Sequence, residues 1–267
     1  MFECSLDGLT LKRIFEALKD TCTEVNFVCD ADGCTMQAMD DSHVALVSTN
    51  WGVDMFHKYR CDSQVTLGLS VATILKATQP VKTNKHIVHL STLKGTDEDE
   101  EVLHIAIEDP ERTDTWHMEV ALLSVVQERL RIPDEPYACV CTVDAKEFQE
   151  LLRYIHSIAE SVRIRGEKDS LVLSAKGENL SVTRVIHAPD MQCSEVFEQD
   201  FAVRYLSNFV KGASLCERLE IAMTHGTPMR FTFPLPSPGQ QSAAVMSIDS
   251  DEVSSLRFYV APKIDEE

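Results

Sequence analysis

The chain has 267 residues, with 25 lysines and arginines against 43 aspartates and glutamates, a formal net charge of −18. Charge of that sign opposes a polyanionic partner, no apolar run approaches the roughly 20 residues that span a bilayer, and nothing resembles a signal peptide. The nine cysteines are scattered without a CxxC or a zinc spacing, which suits a reducing compartment and thiols used as small core residues rather than a disulfide framework.

A strand at the N-terminus leads into a predicted helix over residues 9–20. Leu11, Ile14, Phe15 and Leu18 recur there at i, i+3, i+4 and i+7, so one stripe is apolar and the opposite face polar. A hairpin follows at 25–39, turning on Asp30-Ala31-Asp32-Gly33. The second helix is expected at 70–78 and its hairpin at 87–107, with the acidic run 97–101 as a solvated tip. Pro133 and Pro136 keep the segment 123–137 from becoming a helix and leave it extended over a surface. The third helix is expected at 145–157 and its hairpin at 162–175. Cys139 and Cys141 sit two apart on one strand and so project to the same side. The fourth helix is expected at 204–213 and its hairpin at 219–233, turning on His225-Gly226-Thr227-Pro228. Pro234, Pro236 and Pro238 remove ladder donors, so a surface insertion is expected from 234 to about 250. The chain ends on an acidic tail, Asp265-Glu266-Glu267.

One pattern, strand then short helix then hairpin, therefore occurs four times. The third helix repeats the first, with Phe148, Leu151, Leu152 and Ile155 each 137 positions after Leu11, Ile14, Phe15 and Leu18. The same offset carries Val25 to Val162, Phe27 to Ile164 and Asp32 to Asp169. A repeat kept in step over a helix and a hairpin indicates two similar halves of two units each. The expected class is α+β, with an N-terminal domain at 1–122, a linker at 123–137 and a C-terminal domain at 138–267.

Charge is distributed unevenly. The four helix windows hold eight cations (Lys12, Arg13, Lys19, Lys76, Lys146, Arg153, Arg204 and Lys211) against four acids (Glu16, Asp20, Glu147 and Glu150). The helices are thus locally basic in an acidic protein. One basic surface shared by all four would follow phosphates, while the acidic remainder opposes nonspecific adhesion.

The sequence has no P-loop, GxSxG, HExxH or GxGxxG, and no cofactor is expected. The densest polar cluster is Met39-Asp40-Asp41-Ser42-His43. A metal-dependent nuclease at Asp40, Asp41 and His43 is one reading of it, although no further ligands stand at a readable spacing. The run from Gln37 through this cluster to Val47, together with Tyr59-Arg60-Cys61-Asp62, resembles the eukaryotic sliding clamps, the proliferating cell nuclear antigen family. The linker Leu130-Arg131-Ile132-Pro133-Asp134-Glu135-Pro136-Tyr137 and the tail from Leu256 to Ile264 resemble it too. The similarity begins at Met1-Phe2-Glu3 and covers the whole chain.

The resemblance implies a head-to-tail homotrimeric ring around double-stranded DNA in the nucleus, with helices lining the channel, sheets outside, and subunits joined through edge strands at 114–122 and 178–185. It implies no catalytic activity, and as partners a replicative DNA polymerase, a clamp loader and PIP-box proteins of replication and repair. The family's channel cations fall on Lys12, Arg13, Lys19, Lys76, Arg153, Arg204 and Lys211. Glu150 departs, standing where the family usually has a cation, and the chain is a few residues short around 70–74, which bears on Lys76. The family's groove for partner peptides falls on Met39, His43, Val44, Leu130, Ile132, Pro133, Tyr137, Pro228, Tyr259, Val260, Ala261 and Pro262. Its acceptor for ubiquitin and SUMO falls on Lys168, at the tip of the third hairpin. Subunits of the heterotrimeric checkpoint clamp share the architecture and form the alternative within the fold.

Overall fold

The structure is a computed structural model that describes residues 1–93, 102–112, 114–126, 130, 132, 136–240, 242–243 and 253–263. The acidic run 97–101, the acidic tail, Pro133 and residues 241 and 244–250 of the insertion lie outside the described residues.

In chain order the first half holds β1 (Phe2–Asp7), α1 (Gly8–Leu18), β2 (Glu24–Asp30), β3 (Gly33–Met39), β4 (Ala45–Gly52), β5 (Lys58–Cys61), β6 (Val65–Ser70), α2 (Val71–Ala77), β7 (Ile87–Leu93), β8 (Val102–Glu108) and β9 (Thr115–Ala121). The second holds β10 (Cys139–Asp144), α3 (Ala145–His156), β11 (Ser161–Glu167), β12 (Ser170–Lys176), β13 (Ser181–His187), β14 (Gln192–Cys193), β15 (Phe197–Ala202), α4 (Val203–Phe209), β16 (Arg218–Met223), β17 (Met229–Pro234) and β18 (Ser255–Val260). The four expected units are β1-α1-β2-β3, β6-α2-β7-β8, β10-α3-β11-β12 and β15-α4-β16-β17. The third helix starts where expected, and the other helix ends shift by at most four residues. Most of that falls in the fourth helix, which tightens after Phe209 into a 3₁₀ turn, Val210–Ser214. Ser70 and Asp144 cap α2 and α3 by accepting the backbone N–H of Thr73 and Glu147, which satisfies donors that a helix start leaves orphaned.

Within each half the units exchange strands: β1 pairs β7 while β2 pairs β6, and β10 pairs β16 while β11 pairs β15. This shared pattern is the duplication expressed as topology. The halves are also fused. A nine-stranded sheet, β14-β10-β16-β17-β18-β4-β3-β2-β6, runs through both, closed in the middle by β18 against β4 from Ser255↔Asn50 to Val260↔Ala45. The outer sheets are β5-β1-β7-β8-β9 and β13-β12-β11-β15. Their last strands, β9 and β13, overlap the edge strands the resemblance implies, and among the described residues each has a strand partner on one side only.

The helices form one layer. α1 packs on α2 and on the 3₁₀ turn, and α3 packs on α4 and on that same turn. Leu11, Ile14, Phe15 and Leu18 of α1, and Phe148, Leu152 and Ile155 of α3, are buried against the sheets. Leu151 is only partly buried. Burial of this apolar stripe stabilises each helix far more than propensity, since helices this short are marginal alone. The Pro-rich loop is clipped back onto the first half. Asp7, nearly buried, bonds His57 Nε2 (2.7 Å) and accepts the Gly239 N–H (2.9 Å).

One cysteine expectation is overturned. Cys139 of β10 and Cys193 of β14 are directly opposed in the ladder and joined in a disulfide. No CxxC spacing announces it, because the pair is made by strand register across 54 residues. The remaining seven are free. Burial pushes the Cys22, Cys141 and Cys216 thiols up to about 12, as expected of inert core cysteines.

Candidate functional site: a basic helical layer and an outer groove

The polar face of the helical layer carries the predicted cations, but they are not equivalent. Lys19, Lys76, Arg153 and Arg204 are exposed, whereas Lys12 and Arg13 are half-buried. Lys12 Nζ donates to the Val81 carbonyl after α2 (2.9 Å). Lys211 is ion-paired with Asp20 at the end of α1, and Asn208 donates to the Asp20 carbonyl. Two of the expected phosphate contacts therefore brace helix against helix. Arg204 lies over the Tyr205 ring, 4.7 Å from its centroid, and donates to the Tyr205 hydroxyl (2.8 Å). Glu150 is exposed on α3 beside Arg153.

The opposite face of the nine-stranded sheet carries the second site. Alternation along strands decides which side chains reach it. Met39 on β3 faces Leu46 on β4, Leu46 faces Tyr259 on β18, and Tyr259 faces Arg230 on β17. By the same rule Val260 points the other way and is fully buried in the core, so its side chain cannot line a groove, contrary to expectation. Ala261 and Pro262 follow, half-buried, with the Ala261 N–H donating to the Val44 carbonyl (3.0 Å).

The linker is anchored to this face at four described places. Leu123 N–H donates to the Gly68 carbonyl (2.8 Å), and a Cβ on Gly68 would stand 1.8 Å from the Leu123 oxygen, so only glycine admits the linker there. Asn26 donates to the Val125 carbonyl (2.7 Å). Gln37 pairs with the Leu130 backbone twice, donating to its carbonyl (3.0 Å) and accepting its N–H (2.6 Å). Tyr137 donates to the Pro228 carbonyl (3.4 Å), while Arg230 lies 4.8 Å from the Tyr137 ring centroid. Burial pushes the Tyr137 hydroxyl up to about 12, so it stays a donor. Arg230 in turn meets Glu220 at 2.9 Å, with Glu220 almost wholly buried. Leu130 and Pro228 are exposed and Ile132 is half-buried. Asn26, Gln37, Leu46, Gly68, Glu220 and Arg230 are absent from the sequence-derived site. Strand alternation from Met39 and Tyr259 is the signal that reaches Leu46 and Gln37.

The Asp40 turn holds the rim of this groove. Asp40 Oδ1 accepts the N–H groups of Val44 (2.9 Å) and Ala45 (2.6 Å), and Oδ2 accepts the Ser42 N–H (3.2 Å) and hydroxyl (2.6 Å). Burial pushes the carboxyl up, but these bonds outweigh it and hold Asp40 below the usual carboxylate range. His43 takes a left-handed φ of 58° and presents an exposed ring. With both carboxylate oxygens committed to the turn, Asp40 is not disposed as a metal ligand. Among the described residues no group of three His, Cys, Asp or Glu is placed to hold a metal ion. No described helix is long and apolar enough to cross a membrane.

Sheets on one side, a single helical layer on the other and cations on its open face define a class, the DNA clamps. A family model for the proliferating cell nuclear antigen N-terminal domain matches residues 1–129, and one for its C-terminal domain matches residues 131–247. The chain is 38% identical over 273 residues to proliferating cell nuclear antigen 2 of Plasmodium falciparum (isolate 3D7), covering 99% of each. It is 30% identical over 279 residues to proliferating cell nuclear antigen of Caenorhabditis elegans (100% of this chain, 98% of that one) and 31% identical over 275 residues to that of Chaetomium thermophilum (99% and 98%). The chain belongs to the proliferating cell nuclear antigen family, and its function is that of a DNA sliding clamp in replication and repair.

Proposed function

We propose that three copies close head to tail into a ring around duplex DNA in the nucleus, where the ring holds a replicative polymerase on its template and docks repair proteins. The chain itself catalyses nothing. A clamp loader places the ring, and PIP-box peptides bind the outer groove at Met39, His43, Val44, Leu130, Ile132, Pro133, Tyr137, Pro228, Tyr259, Ala261 and Pro262. Lys168, exposed at the β11–β12 turn, is the proposed acceptor for ubiquitin and SUMO. The units 1–122, 123–137 and 138–267 are the proposed domains and linker, subject to the sheet they share.

The observation that carries this reading is the complementarity of the two edges. Trp116 on β9 is 58% exposed. The outer end of the second half has a notch of about 510 Å³ between α3 and β13, lined by Leu151, Tyr154, Val182 and Ile186 among others. An exposed edge strand with a large aromatic fits an exposed edge strand beside a notch that offers Leu151, Tyr154, Val182 and Ile186 amid polar side chains, and a heterologous contact of that kind closes into a ring when its rotation permits. Both halves of the contact sit on one chain, which favours a homotrimer over a heterotrimeric checkpoint clamp. In the channel, Lys19, Lys76, Arg153 and Arg204 are exposed and carry the phosphate contacts.

Replacing Lys19, Lys76 and Arg153 together with Glu tests the channel without disturbing the Lys211–Asp20 brace. Polymerase stimulation on long primed templates should fall while the trimer persists. Undiminished stimulation would remove the channel from the mechanism.

A further inference from the structure

A chain of side-chain hydrogen bonds joins α4 of the second half to the Asp40 turn of the first. Arg204 donates to the Tyr205 hydroxyl oxygen (2.8 Å), the Tyr205 and Ser42 hydroxyls are 3.0 Å apart, and Ser42 donates to Asp40 (2.6 Å). The direction of the middle bond follows from its neighbours. The Ser42 O–H is already donated to the carboxylate and Tyr205 accepts from a guanidinium, so the Tyr205 hydroxyl donates to the Ser42 oxygen. Every bond then points from the cation to the carboxylate, the arrangement in which successive bonds polarise one another.

Each end of the chain has a separate task. Arg204 is exposed on α4 in the second half, while Asp40 fixes the Val44 and Ala45 amides and the left-handed His43 at the groove rim in the first. Tyr205 is only 8% exposed and ends at neither site. A phosphate taken up by Arg204 competes with the Tyr205 hydroxyl for the guanidinium, because a charge-assisted bond to phosphate is the stronger of the two.

We infer that Tyr205 is a positioning residue that couples phosphate binding at Arg204 to the shape of the Asp40–Ala45 turn, so that duplex in the channel weakens peptide binding in the groove. Losing the guanidinium weakens the Tyr205–Ser42 and Ser42–Asp40 bonds in turn and loosens a rim that is otherwise set for its ligand. Coupling is reciprocal, so bound peptide weakens duplex binding by the same factor. The inference rests on the channel and groove assignments of the proposed function.

The test uses the full chain, a fluorescein-labelled uncharged peptide with a glutamine, an aliphatic and two aromatics at helical spacing, and a 30-base-pair duplex at low salt. In the wild type, saturating duplex should raise the peptide Kd about threefold, at the lower end of the range for single-residue coupling. In Tyr205→Phe, which keeps the buried ring and removes only the hydroxyl, the two Kd values should agree. Amide spectra of 15N-labelled protein supply a second readout, in which duplex should move the Val44 and Ala45 signals of the wild type and leave those of the variant in place. Equal shifts in both proteins, or no change of Kd and no amide shift in a wild type that binds both probes, would overturn the inference. Amide shifts that depend on Tyr205, in a protein that binds no peptide, would support the joint and refute the groove.

Discussion

Asp40→Asn is the sharpest perturbation of the groove rim. The substitution keeps size and shape but replaces one acceptor oxygen with an NH₂ that faces donors. Four bonds are at stake, two on each oxygen. Bonds to a charged acceptor contribute roughly 1.5–3 kcal/mol each when made, but water replaces them wherever it can reach. Asparagine keeps its oxygen on the Val44 and Ala45 amides and turns its NH₂ to Ser42. What is lost is the charge assistance of the buried Ala45 bond together with both Ser42 bonds, and the Ser42 N–H then faces another donor. The Ser42 groups lie in part-buried or exposed surroundings, so their loss is partly offset. A net loss of about 3 kcal/mol follows for the neutral-pH protein, lowering Tm by about 6–12 °C on the scale for chains of this size. Asp41→Asn, at the exposed neighbour, should shift Tm by under about 2 °C.

The same pair of variants has a pH signature. The folded-state pKa of Asp40 is depressed, so its stabilisation is fully present above the unfolded value of about 3.9 and disappears as pH falls through the lower folded value. The Tm gap between wild type and Asp40→Asn should be constant from pH 7 to about 5 and close on acidification below about 4. Calorimetry at four pH values reads this directly. An Asp40→Asn protein as stable as Asp41→Asn at neutral pH, or a gap that widens in acid, would refute the account of the turn.

Trp116→Ala should convert the ring to monomers at micromolar concentration, because burying an indole of roughly 150 Å² contributes about 4 kcal/mol per interface; light scattering that still gives three times 29.9 kDa would exclude the notch as its seat. Ile132→Ala with Tyr259→Ala should abolish PIP-box peptide binding at about thirtyfold per anchor, and near wild-type titrations of a protein with an intact circular dichroism spectrum would move the groove elsewhere. Lys168→Arg should leave assembly and stability unchanged to within about 0.5 kcal/mol while preventing ubiquitin attachment in a reconstituted reaction, an assignment overturned if mass spectrometry finds conjugate on another lysine of the wild type and none on Lys168.

Local periodicity alone determined the four units. The stripe through Leu11, Ile14, Phe15 and Leu18, its copy 137 residues on, and the turn residues between strands encode helix, hairpin and duplication, because backbone geometry repeats every 3.6 or 2 residues wherever it occurs. The family was likewise legible, since its motifs are short contiguous runs. What strand partners and packing impose was not legible. The ladder of β18 on β4 fuses halves that read as separate domains, and the register of β10 on β14 makes a disulfide from two cysteines 54 residues apart. The resemblance puts Lys12 and Lys211 among the channel cations, yet their ammonium groups are engaged by Val81 and Asp20, residues distant in sequence. Val260 read as a groove residue beside Tyr259, but adjacent residues on a strand face opposite ways, and only the placement of the sheet says which way is out. Which side chains can meet depends on long-range pairing, and no local window of the sequence carries that information.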